Sequence, residues 1–396
     1  MRDFGGYGRV WAERPVRRLL IASLAGRVAF SMLPLGLVLF ASAETGSTAT
    51  AGALIAAFGV ASAAAPVRGR IVDRRGPPAL IAFGAICAAG LVALYAAGQA
   101  DAPAAVLCAI GGVVGAAVPP LGAYTRAVWG EALRGRGEQL QRTYALDAAG
   151  EEATLIVAPL VVAGIVAAGS AGAAVLVAAG GLFAGTVASA RTSLAANLAR
   201  GRAEGGRESA SRARLPAPLW LVIASLAGPG AALGTINVAV PALTRSAGAP
   251  ASAGLLLAAL GAGTAVASLV AGRVTWRRPP LVRLRMLQLV LAGALAAAAL
   301  SANEPVMVGA VLVVAGMALG ALFVTLYLLV DELTPRGAAT RTFAWLVTAN
   351  NGGLAFGAAL AGIVIAARDS AAALWIGVAF ALVGMAISIA AGAAKG

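Results

Sequence analysis

Long apolar runs separated by short polar segments occupy the whole chain. Each run is about twenty residues long, which is the length that an α-helix needs to cross a hydrocarbon core of about 30 Å. A membrane β-barrel would instead show short segments of alternating hydrophobicity. The pattern therefore predicts an all-α membrane protein with twelve spans, whose approximate limits are 19–42, 50–67, 78–99, 103–124, 143–168, 172–190, 217–242, 250–272, 281–302, 305–330, 342–366 and 372–394.

Basic residues accumulate in alternate connections between these spans. With the N-terminus placed in the cytoplasm, all but three of the 30 basic residues fall in cytoplasmic segments. The exceptions are Arg245 and Arg368 in outer loops and Arg27 inside the first span. Because basic residues that flank membrane helices are retained on the cytoplasmic side, the distribution predicts an even number of spans with both termini in the cytoplasm.

Three short segments of the first half recur in the second half at nearly constant separation. They are 21–26 with 223–228 (both IASLAG), 69–78 with 272–280, and 142–145 with 341–344. Collinear repeats indicate duplication of a six-span unit, and an even number of spans gives both copies the same membrane orientation. We therefore predict a six-helix bundle at 1–190, a flexible cytoplasmic linker at 191–216 and a second bundle at 217–396.

The segment 69–78 reads GRIVDRRGPP and resembles a signature of the major facilitator superfamily, G-x-L-x-D-R-x-G-R-K, which lies between spans 2 and 3. The matching residues are Gly69, Asp73, Arg74 and Gly76, while Ile71 replaces Leu and Pro77-Pro78 replaces the basic pair. Together with the repeat, this resemblance covers the whole chain. It implies alternating access through a central cavity between two bundles, with the 69–78 loop acting as a conformational latch at the cytoplasmic side.

The proton-coupled drug exporters of that superfamily commonly carry an arginine within span 4 and a Gly-Pro motif in span 5. In this chain the first arginine of the region, Arg126, is predicted at the cytoplasmic end of span 4, outside the membrane. In span 5, Ala158-Pro159 stands where the Gly-Pro motif is found. The sequence therefore departs from both exporter signatures.

Four ionisable residues stand out because they lie deep inside predicted spans: Arg27 in span 1, and Asp147, Glu151 and Glu152 in span 5. Arg27 and Glu151 each follow a flanking arginine by nine residues, which places both about 13 Å into the membrane at 1.5 Å per residue. This equal depth allows an ion pair between them. Asp147 and Glu151 share one helix face.

Two interpretations of this charged group remain open. Carboxyl groups crowded in a low-dielectric environment disfavour full ionisation, so at least one is expected to bind and release a proton. Proton coupling or substrate contact through Arg27, Asp147, Glu151 and Glu152 is the first interpretation. A static buried network that stabilises the N-terminal bundle is the second.

The second half carries neutral groups at comparable positions. Pro229 stands where the first half has Arg27, and Asn350-Asn351 stand where it has Glu151-Glu152. With Asn237, these amides are predicted to present hydrogen-bonding groups to a substrate cavity. Buried asparagines also join membrane helices to one another, and this alternative stays open.

Composition narrows the classes of function. Hydrophobic residues make up 60% of the chain and charged residues 12%, whereas soluble proteins carry about a quarter charged residues. The net charge of +14 follows from the membrane topology, so no nucleic-acid partner is expected. The chain has no histidine, and Lys395 is its only lysine, which excludes histidine metal sites and the phosphate-binding loop of an ATP-driven pump. Cys87 and Cys108 lie in predicted spans and are interpreted as packing residues.

These observations predict a monomeric secondary transporter of the inner membrane and no enzyme. The proton gradient would be its energy source, with no cofactor and no metal. Its partners would be protons, the lipid bilayer and a small organic or amphipathic substrate that is exported. Proton-coupled uptake of a small solute and a non-transporting membrane scaffold or sensor are the alternatives.

Overall fold

The structure is a computed structural model that describes residues 7–196, 214–249, 252–302 and 304–393. Residues 197–213, which make up most of the predicted linker, lie outside the described residues, as does Lys395.

The described residues form α-helices joined by short turns. In chain order the helices are α1 (Tyr7–Ala12), α2 (Arg14–Thr45), α3 (Thr48–Ser62), α4 (Ala65–Arg75), α5 (Pro77–Gln99), α6 (Ala104–Ala117), α7 (Leu121–Ala132), α8 (Gly137–Ala167), α9 (Ala171–Ala190), α10 (Ala217–Ser225), α11 (Ala227–Ser246), α12 (Ser252–Ala271), α13 (Pro280–Leu300), α14 (Pro305–Leu333), α15 (Ala339–Ala367) and α16 (Ser370–Ala393).

The all-α membrane fold predicted from the apolar pattern is confirmed. Among the described residues, eleven helical segments are long and apolar enough to cross a membrane, with α6–α7 and α10–α11 each counted as one segment. The number is twelve when the bent pair α3–α4 is also counted as one span. The second span differs from the prediction because it is broken, with a bend of 46° between α3 and α4. The fourth span is interrupted after α6, where Pro119 and Pro120 precede α7, since proline lacks the N–H that continues a helix.

Arg68 joins the two interrupted spans. Its side chain is 4% exposed, and the guanidinium donates to backbone carbonyls next to both breaks. The acceptors are Ser62 O at 2.9 Å, Ala116 O at 3.1 Å, Gly115 O at 3.3 Å and Ala61 O at 3.5 Å. Carbonyls at the end of a helix lack intrahelical partners and carry partial negative charge. One buried cation therefore satisfies the ends of both α3 and α6.

Replacing Arg68 with methionine is expected to destabilise the protein by about 3 kcal/mol, because hydrogen bonds to charged groups contribute about 1.5–3 kcal/mol each. Thermal unfolding of the purified protein measures the change. Arg70→Met is the matched control, since Arg70 lies on the same helix with an exposed side chain. Equal unfolding temperatures for the two variants would contradict this role of Arg68.

The chain divides into two compact units. Unit 1 comprises Met1–Arg134, Ala153–Ala213 and Arg336–Ala344, and unit 2 comprises Gly135–Glu152, Arg214–Pro335 and Trp345–Gly396. Two helices are thus shared between the units. The first part of α8, through Glu152, belongs to unit 2, and the beginning of α15, through Ala344, belongs to unit 1. These two segments contain the repeated residues 142–145 and 341–344.

Each unit is packed through small residues, as its Ala- and Gly-rich composition predicts. In unit 1, Gly26 of α2 lies directly against Gly185 of α9. In unit 2, Gly230 and Gly234 of α11 face backbone atoms of α15, and Gly353 and Gly357 of α15 face backbone atoms of α11. Added Cβ atoms at these positions would collide with the backbone of the neighbouring helix. Cys87 is buried in the apolar core of unit 1, and Cys108 packs against that core.

Candidate functional site

Three carboxyl groups lie within six residues of α8, in the part of the helix that belongs to unit 2. Asp147 is fully buried, whereas Glu151 and Glu152 are half-buried. The Glu152 Oε2 atom faces α12, 3.8 Å from the position that a Cβ would take at Gly261. A methyl group at position 261 would thus make an ordinary van der Waals contact with this carboxyl group.

Two guanidinium groups converge in unit 1. Arg27 on α2 is 6% exposed, and Arg126 on α7 is 1% exposed. Arg27 Nη1 and Arg126 Nη1 each lie 3.7 Å from the position of a Cβ at Gly122. The predicted end of span 4 at residue 124 was wrong, because α7 continues the helical segment through Ala132 and the Arg126 side chain is buried. Sequence reasoning ended this span too early, shortly after the two prolines.

Arg27 and Arg126 are thus buried in unit 1, whereas the three carboxyl groups of α8 belong to unit 2. An ionisable side chain at membrane depth faces protein or a water-filled cavity. Arg27 belongs to unit 1 and Glu151 to unit 2, so the ion pair between them stays a prediction.

The asparagines proposed for the second half lie on α11 and α15 of unit 2. Asn350 Nδ2 donates to Asn351 Oδ1 at 3.4 Å, and the Asn350 backbone lies against Gly230 of α11. Asn237 follows Gly230 by seven residues, which corresponds to about 10 Å along the helix axis, and its side chain is exposed. The side chains of Asn350 and Asn351 are thus in contact with each other. Asn237 lies about two turns of α11 away from Gly230, the residue that the Asn350 backbone contacts.

Asp73 of α4 contacts the beginning of α15 within unit 1. Its Oδ1 accepts the Thr340 N–H at 3.1 Å and its Oδ2 accepts the Arg341 N–H at 2.8 Å. These are backbone donors in the first turn of α15, where N–H groups have no intrahelical acceptor and a carboxylate is stabilised by the helix dipole. Asp73 is 7% exposed and caps a helix that is more than 260 residues away in sequence.

Gly69 and Gly76, on either side of Asp73 in the sequence, each require glycine, but for different structural reasons. A Cβ at Gly69 would lie 2.9 Å from Arg341 Cα, so only glycine permits this approach of α4 to α15. Gly76 has φ of +72°, a conformation that favours glycine, and it ends α4. The predicted loop at 69–78 is wrong in its first part, because 69–75 continue α4. Arg74 lies in the last turn of α4.

Sequence reasoning did not identify the residues that attach the beginning of α8 within unit 2. Gln141 donates to backbone carbonyls at the end of α12 and in the segment after it, and Tyr144 donates to Asp331 on α14. The repeat contained the signal, because Tyr144 stands where the second copy has Phe343. The adjacent threonines behave alike, since Thr143 donates to Gln139 O and Thr342 donates to Ala338 O, both at 2.8 Å.

Residues 230–394 match the sequence model of the Major Facilitator Superfamily. No curated protein matches the chain by sequence.

Solved structures resemble this fold over almost its full length. A bacterial homologue of the iron transporter ferroportin, in an outward-facing state, aligns with a TM-score of 0.77 at 13% identity, over 96% of this chain and 100% of its own. The human organic anion transporter MFSD10 (TETRAN) aligns with 0.71 at 16% identity, over 95% and 99%. The fucose:proton symporter FucP of E. coli aligns with 0.65 at 13% identity, over 95% and 98%.

Proposed function

Because this chain is a member of the major facilitator superfamily, by its fold and by the match of its C-terminal half, we propose that it is a proton-coupled secondary transporter. It exports a small organic or amphipathic molecule across the inner membrane by alternating access. The transporter fold is common to the similar structures, whereas the direction, the coupling ion and the substrate class are this proposal.

The carboxyl trio on α8 carries the proposal of proton coupling. Asp147, Glu151 and Glu152 lie in a helix that qualifies as a membrane span. Such groups are expensive at membrane depth and mark proton or ion pathways. A group that alternates between a charged and a neutral form couples its protonation to whichever conformation stabilises that form.

Transport by purified protein in liposomes of known orientation tests this proposal. The probes are a panel of fluorescent amphipathic cations and organic anions, with an imposed proton gradient of either sign. Proton-driven flux from the cytoplasmic face to the outer face supports export. No gradient-dependent flux of any probe, together with no change in internal pH, would favour the scaffold or sensor alternative.

Proton symport into the cell is the second candidate. The structural similarity to the fucose:proton symporter favours it. The same liposomes discriminate the two directions, because symport moves substrate and proton together whereas exchange moves them in opposite directions. Alkalinisation of the compartment that loses substrate would identify symport, and its acidification would identify antiport.

Asp73 is proposed to act on the conformational equilibrium as a latch. Asp73→Asn removes the negative charge at the beginning of α15 and places an amide near N–H donors, so we expect reduced transport with an unchanged folded yield. Hydrogen exchange at the Thr340 and Arg341 amides should accelerate. Asp369→Asn is the matched control, since Asp369 caps its own helix by accepting the Ala372 N–H at 2.7 Å. Wild-type turnover and exchange in Asp73→Asn would refute the latch.

A further inference from the structure

Five arginines and no acidic residue occur in the stretch 272–286, which connects α12 to α13 and includes the first turns of α13. The stretch 69–83 is its counterpart in the first half of the chain. The positive-inside rule accounts for basic residues in both stretches, but it does not account for the changes of charge between them. These changes are Trp276 for Asp73, Arg283 for Ile81 and Arg285 for Phe83.

Arg283 is buried without a counter-charge. It is 7% exposed, and its Nε atom has no hydrogen-bond partner. The guanidinium carbon lies 5.0 Å from the centre of the Trp276 ring, and the Trp276 indole N–H donates to Ala271 O at 3.4 Å. No carboxylate pairs with Arg283 in the part of the chain that the structure describes. Because a buried cation without an acceptor is costly, a ligand with negatively charged oxygens would stabilise this side chain.

Three exposed arginines precede Arg283 in the same stretch. They are Arg273, Arg277 and Arg278, and none of them forms an ion pair within the described residues. The Arg278 Nη1 atom donates to Met286 Sδ at 3.1 Å, which places this guanidinium over the first turns of α13. Sulfur is a weak acceptor, so Arg278 keeps donors for a stronger one. Guanidinium groups bind phosphate oxygens through paired hydrogen bonds.

The exposed face of α13 next to these arginines is apolar. Its residues Met286, Leu289 and Val290 are large and exposed, and a Cβ at Gly293 meets no atom within 4 Å. These positions follow Met286 by three, four and seven residues, so they share one face of the helix over about 10 Å. A ligand that consists of a charged group alone would leave this face uncovered, whereas an acyl chain would cover it.

We propose that the stretch 272–286 and this face of α13 form a binding site for an anionic phospholipid. The phosphate group contacts Arg283 and the exposed arginines, and the acyl chains lie along α13. A cluster of about four to eight basic residues beside a membrane span is typical of anionic lipid binding, and Trp276 is of the residue type that anchors at the membrane interface. The proposal is independent of the direction and the coupling of transport.

Native mass spectrometry of the purified protein, titrated with phosphatidylglycerol or with phosphatidylcholine, tests this site. Wild-type protein should bind phosphatidylglycerol about tenfold more tightly, because only this lipid has a net negative charge. Arg277→Gln/Arg278→Gln should lose about tenfold in affinity for phosphatidylglycerol. Equal wild-type affinities for the two lipids would overturn the proposal.

The matched control is Arg134→Gln/Arg136→Gln, which removes the same charge from a different polar connection. Arg134 already pairs with Glu131 at 2.6 Å. The affinity of this control for phosphatidylglycerol should stay within about twofold of wild type, since charges outside the site contribute only through the screened field of the whole protein. Equal losses in the two double variants would show general charge attraction and would overturn a specific site at 272–286.

Arg283→Met separates lipid binding from a structural role of this arginine. We expect about a tenfold loss of affinity for phosphatidylglycerol, with an unfolding temperature in lipid-free detergent that is unchanged or higher, because an unpartnered buried charge is removed. A lower unfolding temperature together with unchanged lipid binding would overturn the role of Arg283. Glycerol 3-phosphate, which lacks acyl chains, should not displace the lipid. Displacement at concentrations equal to those of the lipid would identify a site for soluble phosphate compounds and would overturn the lipid assignment.

Discussion

Glu151→Gln is expected to abolish proton-driven accumulation of substrate while substrate still equilibrates across the membrane. Glutamine has the size and hydrogen-bonding groups of a protonated glutamate, but it releases no proton. The conformational cycle of the loaded protein can therefore continue, whereas the gradient no longer drives it. Accumulation against a gradient and substrate exchange at equilibrium, measured in the same liposomes, separate the two activities.

The competing interpretation of Glu151 is a static ion pair with Arg27, and it makes a different prediction. Removing one partner of a buried pair leaves an uncompensated charge, which costs about 3–5 kcal/mol. Glu151→Gln would then unfold at lower temperature, and Arg27→Gln/Glu151→Gln would recover stability. Full proton-driven transport in the recovered double variant would show that neither side chain couples protons, and Asp147, one turn earlier on α8, would be tested next. Glu138→Gln, at an exposed carboxylate of the same helix, is the control.

Apolar run length predicted the membrane helices because the bilayer imposes one length on every span. The repeat added information that hydropathy lacks, since it placed 142–145 and 341–344 at corresponding positions. Both segments lie where a helix is shared between the two units. The signature drew attention to Gly69, Asp73 and Gly76, but the partner of Asp73 in the structure, the first turn of α15, cannot be read from a local pattern.

Buried arginines escaped the sequence analysis for a physical reason. Arg68 and Arg126 follow apolar runs in the same way as the arginines that remain in the cytoplasm, so the positive-inside rule assigned both to loops. In the structure, spans 2 and 4 are broken, and the breaks leave backbone carbonyl groups without helical partners. Helices α4 and α7 continue beyond the breaks, and the arginines that they carry are buried. Proline at 119 and 120 marked the break, but its consequence for the side chain of Arg126, in the second turn of α7, depends on tertiary packing.

Gly353→Ala is expected to destabilise the protein by about 1–3 kcal/mol, the usual range for an overpacked site. The added methyl group would meet the Ala227 carbonyl oxygen of α11, which is backbone and has no alternative rotamer. Gly357 repeats the contact one turn later against Ala231 O. The two helices would have to separate along this face, and the close packing of small residues that holds membrane helices together would be lost.

Gly352→Ala, one residue away on the same helix, is expected not to destabilise the protein. A Cβ at Gly352 meets no atom within 4 Å, and alanine favours the helical state over glycine by up to about 1 kcal/mol. Unfolding temperatures of the purified variants should therefore fall for Gly353→Ala and rise or stay constant for Gly352→Ala. A double variant Gly353→Ala/Gly357→Ala should lose less than the sum of the two single changes, because one separation of α11 from α15 relieves both collisions. Equal temperatures for Gly352→Ala and Gly353→Ala would show that α11 and α15 do not approach each other as closely as the structure places them.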